Sequence, residues 1–444
     1  MSLDLKADSE PVTSIDDLVA FFREAERPPR EHRVGLEHEK LLYPRGGSRA
    51  IPYEGDRGVE ALLGRLVARG YSPYREAEGL PIIALMRGEL TVSLEPGGQI
   101  ELSGTPFPTA RAVQAENTSH LADLRACAEE LQLYAVALGY RPFDELDDMP
   151  WVPKTRYLAM RETLTRRGSL ARNMMLMTAT GQVSLDWASE GDCVRKAVVS
   201  ARLAPLLVAL YANSPIANGR PTGYFSFRSH VWTDVDPARC GFVPAMFDNS
   251  FSYAAYAEWA LEAPMLFLRR GGEYLRPEIT FRQLLEEGHD GQPATRGDWA
   301  DHLSTLFPEV RLKKVLEIRS ADCVGPELTA SLAALYRGLL YDPEALSEAA
   351  RLLPPVSYTQ HLELMEVARR EGLRGKWNNV SLAGAAREMV EIATRGLERL
   401  DGGDAPLLEP LEELAASGRS PAERVLKAFE REKNPAKFLA KFAA

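Results

Sequence analysis

The run GLPIIALMRGELTVSLEPGGQIELSG at residues 79–104 restricts the fold more than any other stretch. Its apolar, β-favouring pieces are only a few residues long. Arg87-Gly88 and Pro96-Gly97-Gly98 interrupt them, so they read as antiparallel strands joined by tight turns. VGLEHEKLLY (34–43), GQVSLDWA (181–188), GYFSFRSHVW (223–232) and VRLKKVLEIRSAD (310–322) are further strand candidates. Helical patterns lie between them. One starts at a Ser14 cap, with Leu18, Phe21 and Phe22 at helical spacing; others cover about 58–69, 109–139 and 191–212. Residues beyond about 326 read as mostly helical. No low-complexity linker and no internal repeat divides the chain. Strands scattered among long helices predict the α+β class, with residues 1–444 forming one unit.

Bulk properties narrow the function. The chain has 444 residues, 45% of them hydrophobic, and a formal net charge of −10. A phosphate backbone needs a basic face, so nucleic acid is not an expected partner. Cys127, Cys193, Cys240 and Cys323 are scattered without a C-x-x-C pair, which fits a reducing compartment. The N-terminal MSLDLKADSEP is acidic and polar, unlike a signal peptide. The most apolar segment, LAPLLVALYA (203–212), is half the length of a membrane span. A soluble cytoplasmic protein that does not enter membranes is therefore expected.

The chemistry is carried by carboxylates. In a strand, Glu37 and Glu39 of VGLEHEK share one face, with His38 opposite. Neighbouring carboxylates resist joint ionisation, and a hard divalent cation relieves this by taking both as ligands. Glu-x-Glu alone also fits a solvated sheet face with Lys40 as counter-charge. Glu95 and Glu101 lie in SLEPGGQIELS, on either side of a turn that leaves their relative facing open; a hairpin whose glutamates meet water is the plain alternative. Glu317 and Arg319 of LEIRSAD stand at i and i+2, where a buried ion pair is an equal reading. Seven histidines occur singly, which argues against zinc. Carboxylate-only sites suit Mg²⁺ or Mn²⁺ with phosphate oxygens completing the shell. Neither G-x-x-x-x-G-K-[ST] nor G-x-G-x-x-G is present, so a nucleotide would be held through metals and arginines.

VGLEHEK (34–40), SLEPGGQIELSG (93–104), KTRYLAMR (154–161), NSPIANGRPTGYFSFRSHVWTD (213–234), FDNSFSYAAYAEWAL (247–261), FPEVRLKKVLEIRSAD (307–322) and GLLYD (338–342) together resemble the glutamate–cysteine ligases of the plant and proteobacterial type. The resemblance implies a glutamine-synthetase-like fold, a curved antiparallel sheet forming a funnel with helices outside. It implies ATP- and Mg²⁺-dependent joining of the glutamate γ-carboxylate to the cysteine amine through an acyl phosphate, the first step towards glutathione. Glutamate, cysteine and ATP would be the partners, and the chain a monomer or homodimer. Glu37, Glu39, Glu95, Glu101 and Glu317 would hold the metals. Arg156 and Arg228 match substrate-binding arginines, with Tyr157, Ser229 and Trp232 beside them; Arg319 would meet the transferring phosphate. For Arg228, the run YFSFRSHVW suggests an apolar strand; a surface ion pair is the bland reading for each arginine.

The departures from the family are specific. A redox-controlling cysteine pair of the plant members falls on Gln114 and Ala330 here. GADGG becomes SADCVGP (320–326), TVQVNLDF becomes TGQVSLDW (180–187), and GLRGKWNNVSLAG (372–384) also differs. These changes leave open a different amine acceptor. A reading from another class is a non-catalytic nucleotide-binding homologue, which would have no need to keep the carboxylates.

Overall fold

The structure is a computed structural model that describes residues 8–400 and 402–444. The first seven residues of the polar N-terminal stretch lie outside it. Strand β1 (Val34–Pro44) is the organising element. Its first half lies between β5 (Ile100–Ser103) and β7 (Thr180–Leu185), and its second half pairs with β6 (Leu133–Val136). The sheet runs outward from β5 through β4 (Leu90–Leu94) and β3 (Ala84–Arg87) to β2 (Ser72–Tyr74). On the other side it runs through β7 to β9 (Leu316–Asp322) and β8 (Val310–Leu312). All nine strands pair antiparallel. This is the α+β class expected from the short, turn-bounded runs.

Helix α1 (Ile15–Arg23) starts where expected. Asp17 N donates to Ser14 Oγ and Ser14 N to Asp17 Oδ2, a reciprocal cap. Helix α2 (Val59–Val67) also matches. Helix α3 (Ala110–Glu130) is shorter than expected. Gln132 turns the chain with φ 55, and the apolar Leu133–Val136 leaves the helix to pair with β1. Helix α4 (Thr155–Leu164) carries KTRYLAMR, and α5 (Glu190–Tyr211) is a long, largely buried rod.

GYFSFRSHVW does not form a strand. Phe227–Val231 is helix α6, followed by a tighter turn at Trp232–Asp234. Ser226 Oγ accepts from Ser229 N and starts the helix, a capping signal that outweighs the β-favouring aromatics. The helical C-terminal part begins with α7 (Pro326–Tyr341) and includes α8 (Leu382–Arg399), interrupted by a small ribbon at Lys376–Trp377 and Val380–Ser381. Among the described residues no helix is long and apolar enough to cross a membrane.

The two sides of β1 have different surroundings. Leu36, Leu41 and Leu42 are buried in apolar cores. His38 and Lys40 point towards α3 and α7, fully buried. There His38 Nε2 lies 3.1 Å from Val324 O, and Lys40 Nζ donates to His38 O at 2.9 Å. Cys323 Sγ donates to Glu39 O at 3.0 Å. Burial pushes the Lys40 ammonium down to about 7. Lys40 is thus no solvated counter-charge for the glutamates, which face the other way.

All four cysteines are free thiols, three of them buried. Gln114 on α3 and Ala330 on α7 stand on helices that pack together, with no sulfur to link them. Dithiothreitol should leave both the midpoint of thermal unfolding and the reaction rate unchanged; a reversible shift in either would reveal a disulfide missing from this description.

Candidate active site

Antiparallel register decides which carboxylates meet. Glu39 stands directly opposite Glu101 across β1 and β5, and Glu37 is two residues along on the same face. Ser93 of β4 pairs with Glu101 from the other side. Glu101 Oε1 accepts from Ser103 Oγ at 2.7 Å and Ser93 Oγ at 3.1 Å. Glu39 Oε2 accepts from Thr180 N at 3.0 Å.

The turn after β4 adds Glu95. Gly98 N donates to Glu95 O, and Glu95 N to Gln99 O. A Cβ on Gly97 would lie 2.4 Å from Leu176 O, so a glycine is required for this close approach. Arg141 Nη2 fixes the turn by donating to Gly97 O at 3.0 Å. Glu37, Glu39, Glu95 and Glu101 all line one cleft. Burial raises the Glu39 carboxyl well above its ordinary value, and Glu95 and Glu101 add to the effect. Burial with Glu101 close by pushes Glu95 up to about 7. The hairpin glutamates therefore do not simply meet water.

Beside Glu37 the cleft is cationic. Arg311 on β8, Lys313 in the β8–β9 turn and Arg319 on β9 line it. Arg311 Nε donates to Glu317 Oε2 at 2.6 Å, and Lys313 pairs with Glu317 Oε1. Arg319 Nη1 is 3.5 Å from the same carboxylate and also donates to Gln182 Oε1. Burial by itself would raise the Glu317 carboxyl, but Arg311 and Lys313 outweigh it and hold it far below the usual range. Glu317, expected among the metal ligands, is paired in this structure with three cations. Arg319 is further fixed 5.9 Å from the ring centres of Trp232 and Phe307.

Arg228 lines the same cleft, 3% exposed, with Nη2 donating to Arg319 O at 2.9 Å. Its burial matches expectation although its element does not. Arg156, near the start of α4, lines the cleft with its guanidinium over the Phe267 ring. Tyr157 lines it too, while its hydroxyl donates to Leu94 O and fastens α4 to β4. Trp232 contributes a wall. Ser229 does not reach the cleft; it lies on a neighbouring cavity behind Trp232.

Arg311, Lys313, Thr180 and Gln182 were not anticipated. The alternation in RLKKVLEIR carried a signal for the first two: a hairpin within it places Arg311 opposite Glu317. Thr180 acts through its backbone amide, which no residue type announces.

Glutamate-cysteine ligase family 2 (GCS2) matches residues 33–439. The chain is 37% identical over 428 residues to the chloroplastic glutamate–cysteine ligase of Arabidopsis thaliana, covering 96% of this chain and 81% of that protein. It is equally identical over 425 residues to the chloroplastic enzyme of Medicago truncatula, covering 95% and 83%. The fold is similar to that of a glutamate–cysteine ligase from Francisella tularensis solved in complex with AMP, with a TM-score of 0.59 at 12% identity, over 93% of this chain and 87% of that one. The chloroplastic setting of the plant relatives overturns the cytoplasmic expectation, which rested on scattered thiols and a polar start, neither of which specifies a compartment. Profile, identity and fold agree: the chain belongs to the glutamate–cysteine ligase family 2.

Proposed function

We propose that the cleft joins the γ-carboxylate of glutamate to the amine of cysteine at the expense of ATP. The observation that carries this reading is the pairing of a carboxylate floor with a cationic wall in one cleft, Arg228 between them. Phosphoryl transfer from ATP to the glutamate γ-carboxylate gives an acyl phosphate and ADP. The amine then attacks the acyl carbon, the C–O bond to phosphate breaks, and the amine loses a proton. Negative charge accumulates on transferring and leaving oxygens, so fixed cations are the expected catalysts.

This chain's residues divide the task. Arg311, Lys313 and Arg319 are held by Glu317 in fixed positions, suited to phosphate oxygens. Arg228 and Arg156 offer planar forks that suit a substrate carboxylate. Trp232 and Phe307 exclude water beside Arg319. Glu37, Glu39, Glu95 and Glu101 supply only oxygen donors, and burial raises the Glu39 and Glu95 carboxyls. Among the described residues no group of three or more acidic, histidine or cysteine side chains is placed to hold a metal ion by itself. Mg²⁺ here would have to draw much of its shell from water and phosphate oxygens. When bound, Mg²⁺ would supply charge neutralisation at the phosphates.

The direct test is phosphate release from ATP by the purified protein with Mg²⁺ and glutamate, comparing cysteine with a panel of other amines. Cysteine should be preferred, and strong preference for another amine would reassign the acceptor.

Three outcomes follow for variants and pH. Glu39→Gln should lower turnover and raise the Mg²⁺ concentration needed, with no fall in melting midpoint; wild-type Mg²⁺ dependence would remove Glu39 from the metal site. Arg228→Lys keeps the charge but loses the fork, and should lower kcat/KM by about ten- to a hundred-fold, or about 1.4–2.7 kcal/mol. Steady-state kinetics with each substrate varied in turn measures this. For pH, Glu95 binds its proton more tightly folded than unfolded, because its folded value of about 7 exceeds the ordinary 4.5. Its contribution to stability is therefore most favourable below 4.5 and declines as pH rises through about 7. Without metal, the difference between wild type and Glu95→Gln in melting midpoint should move in the variant's favour across that window. Added Mg²⁺ should stabilise wild type more at pH 8 than at pH 5, and an equal effect at both would count against a carboxylate site.

A further inference from the structure

Helix α6, which presents Arg228, is only five residues long. Its first amides find no partner within so short a helix: Phe227 N donates to Ser214 O, and the next two depend on side chains. Arg228 N donates to Ser214 Oγ at 3.0 Å, and Ser229 N to Ser226 Oγ at 3.2 Å. Both hydroxyls in turn donate to one buried carboxylate. Ser214 Oγ reaches Asp322 Oδ2 at 2.6 Å and Ser226 Oγ reaches Asp322 Oδ1 at 2.8 Å. Asn213 N adds a third bond, to Oδ2, at 2.8 Å.

Asp322 is 1% exposed and ends β9, three residues beyond Arg319. The carbonyl of Arg319 takes Arg228 Nη2. One strand thus holds Arg228 at both ends: the backbone through Asp322 and two serines, the guanidinium through the Arg319 carbonyl. Space for the carboxylate is reserved as well. A Cβ on Gly139 would lie 2.7 Å from both Cβ and Cγ of Asp322, a distance that real side chains do not tolerate.

We propose that Asp322 is a positioning residue for Arg228, acting through Ser214 and Ser226 to set the angle at which α6 offers its guanidinium to the substrate anion. This rests on the reading of Arg228 as a substrate-binding group. Asp322 does not line the cleft and takes no part in bond making. An amide in its place offers one acceptor oxygen and an NH₂ group that only donates. One serine hydroxyl would then face an N–H, lose its acceptor, and release its hold on the first turn of α6.

The test is a double-mutant cycle between Asp322→Asn and Arg228→Lys, read by kinetics, thermal melts and amide hydrogen exchange. Asp322→Asn should lower kcat/KM for the substrate gripped by Arg228 by about ten-fold, leaving the KM of the other substrates near wild type. In the Arg228→Lys background the same change should cost less than about two-fold, because the two act as one unit. Exchange at the Arg228 and Ser229 amides should quicken while α5 keeps its protection. Equal losses in both backgrounds would overturn the proposal. So would unaltered exchange at those amides, or a lowered melting midpoint with unchanged kinetics per folded molecule. Should Asp322→Asn not fold, Ser214→Ala and Ser226→Ala each remove one link and carry the same comparison. If wild type shows no ligase turnover, the reading of the cleft fails, whereas the exchange measurement still decides whether Asp322 holds the Arg228 turn.

Discussion

Two carboxylates that cannot avoid one another set the terms for this protein. Glu39 and Glu101 face each other across adjacent strands, 7% and 3% exposed. Like charges in that position oppose strand pairing. Lys40 cannot relieve them because the pleat sends it to the other face of β1. The protein supplies dipoles, two serine hydroxyls on Glu101 and one backbone amide on Glu39, and the nearby charge of Arg228. The pairing persists because β1 is bordered along its whole length and its leucines are buried in large cores. Hydrophobic burial, at about 25 cal/mol per Å² of apolar surface, is the term that holds such a pair in place.

The cationic wall solves the opposite problem. Arg311, Lys313 and Arg319 would repel one another, and a single buried carboxylate keeps them together. Breaking a buried ion pair by removing one partner is costly because it leaves the other charge uncompensated. Glu317 gathers all three of these charges. The cleft thus sets buried carboxylates beside anchored positive charge, with Glu37 next to the cations.

Much of this was legible from residues 34–43 and 79–104. Period-two alternation put Glu37 and Glu39 on one face, and the Gly and Pro breaks marked the hairpins, because these signals are local. The environment of Arg228 was legible, but its element was not. Aromatic residues in YFSFRSHVW favour a strand by propensity, yet Ser226 caps a helix and a distant aspartate secures it. Long-range hydrogen bonds of that kind, over separations of 96 and 108 residues, leave no local pattern. The early end of α3 has the same origin, since the chain after Glu130 departs to pair with a strand far earlier in the sequence. Glu317 illustrates a third limit. Its spacing from Arg319 was visible, but Arg311 and Lys313 join it only through the β8–β9 hairpin.

The division of β1 into two chemically opposed faces has a consequence for how the chain reaches its native state. A slip of one residue in strand register would exchange the faces. His38 and Lys40 would enter the cleft, and Glu37 and Glu39 would be driven against α3 and α7. A misregistered molecule would therefore present a floor of reversed polarity, unable to gather a cation, while burying bare carboxylates among helices. Both errors carry a large electrostatic cost, so the charge alternation that equips the cleft also proofreads the assembly of the sheet.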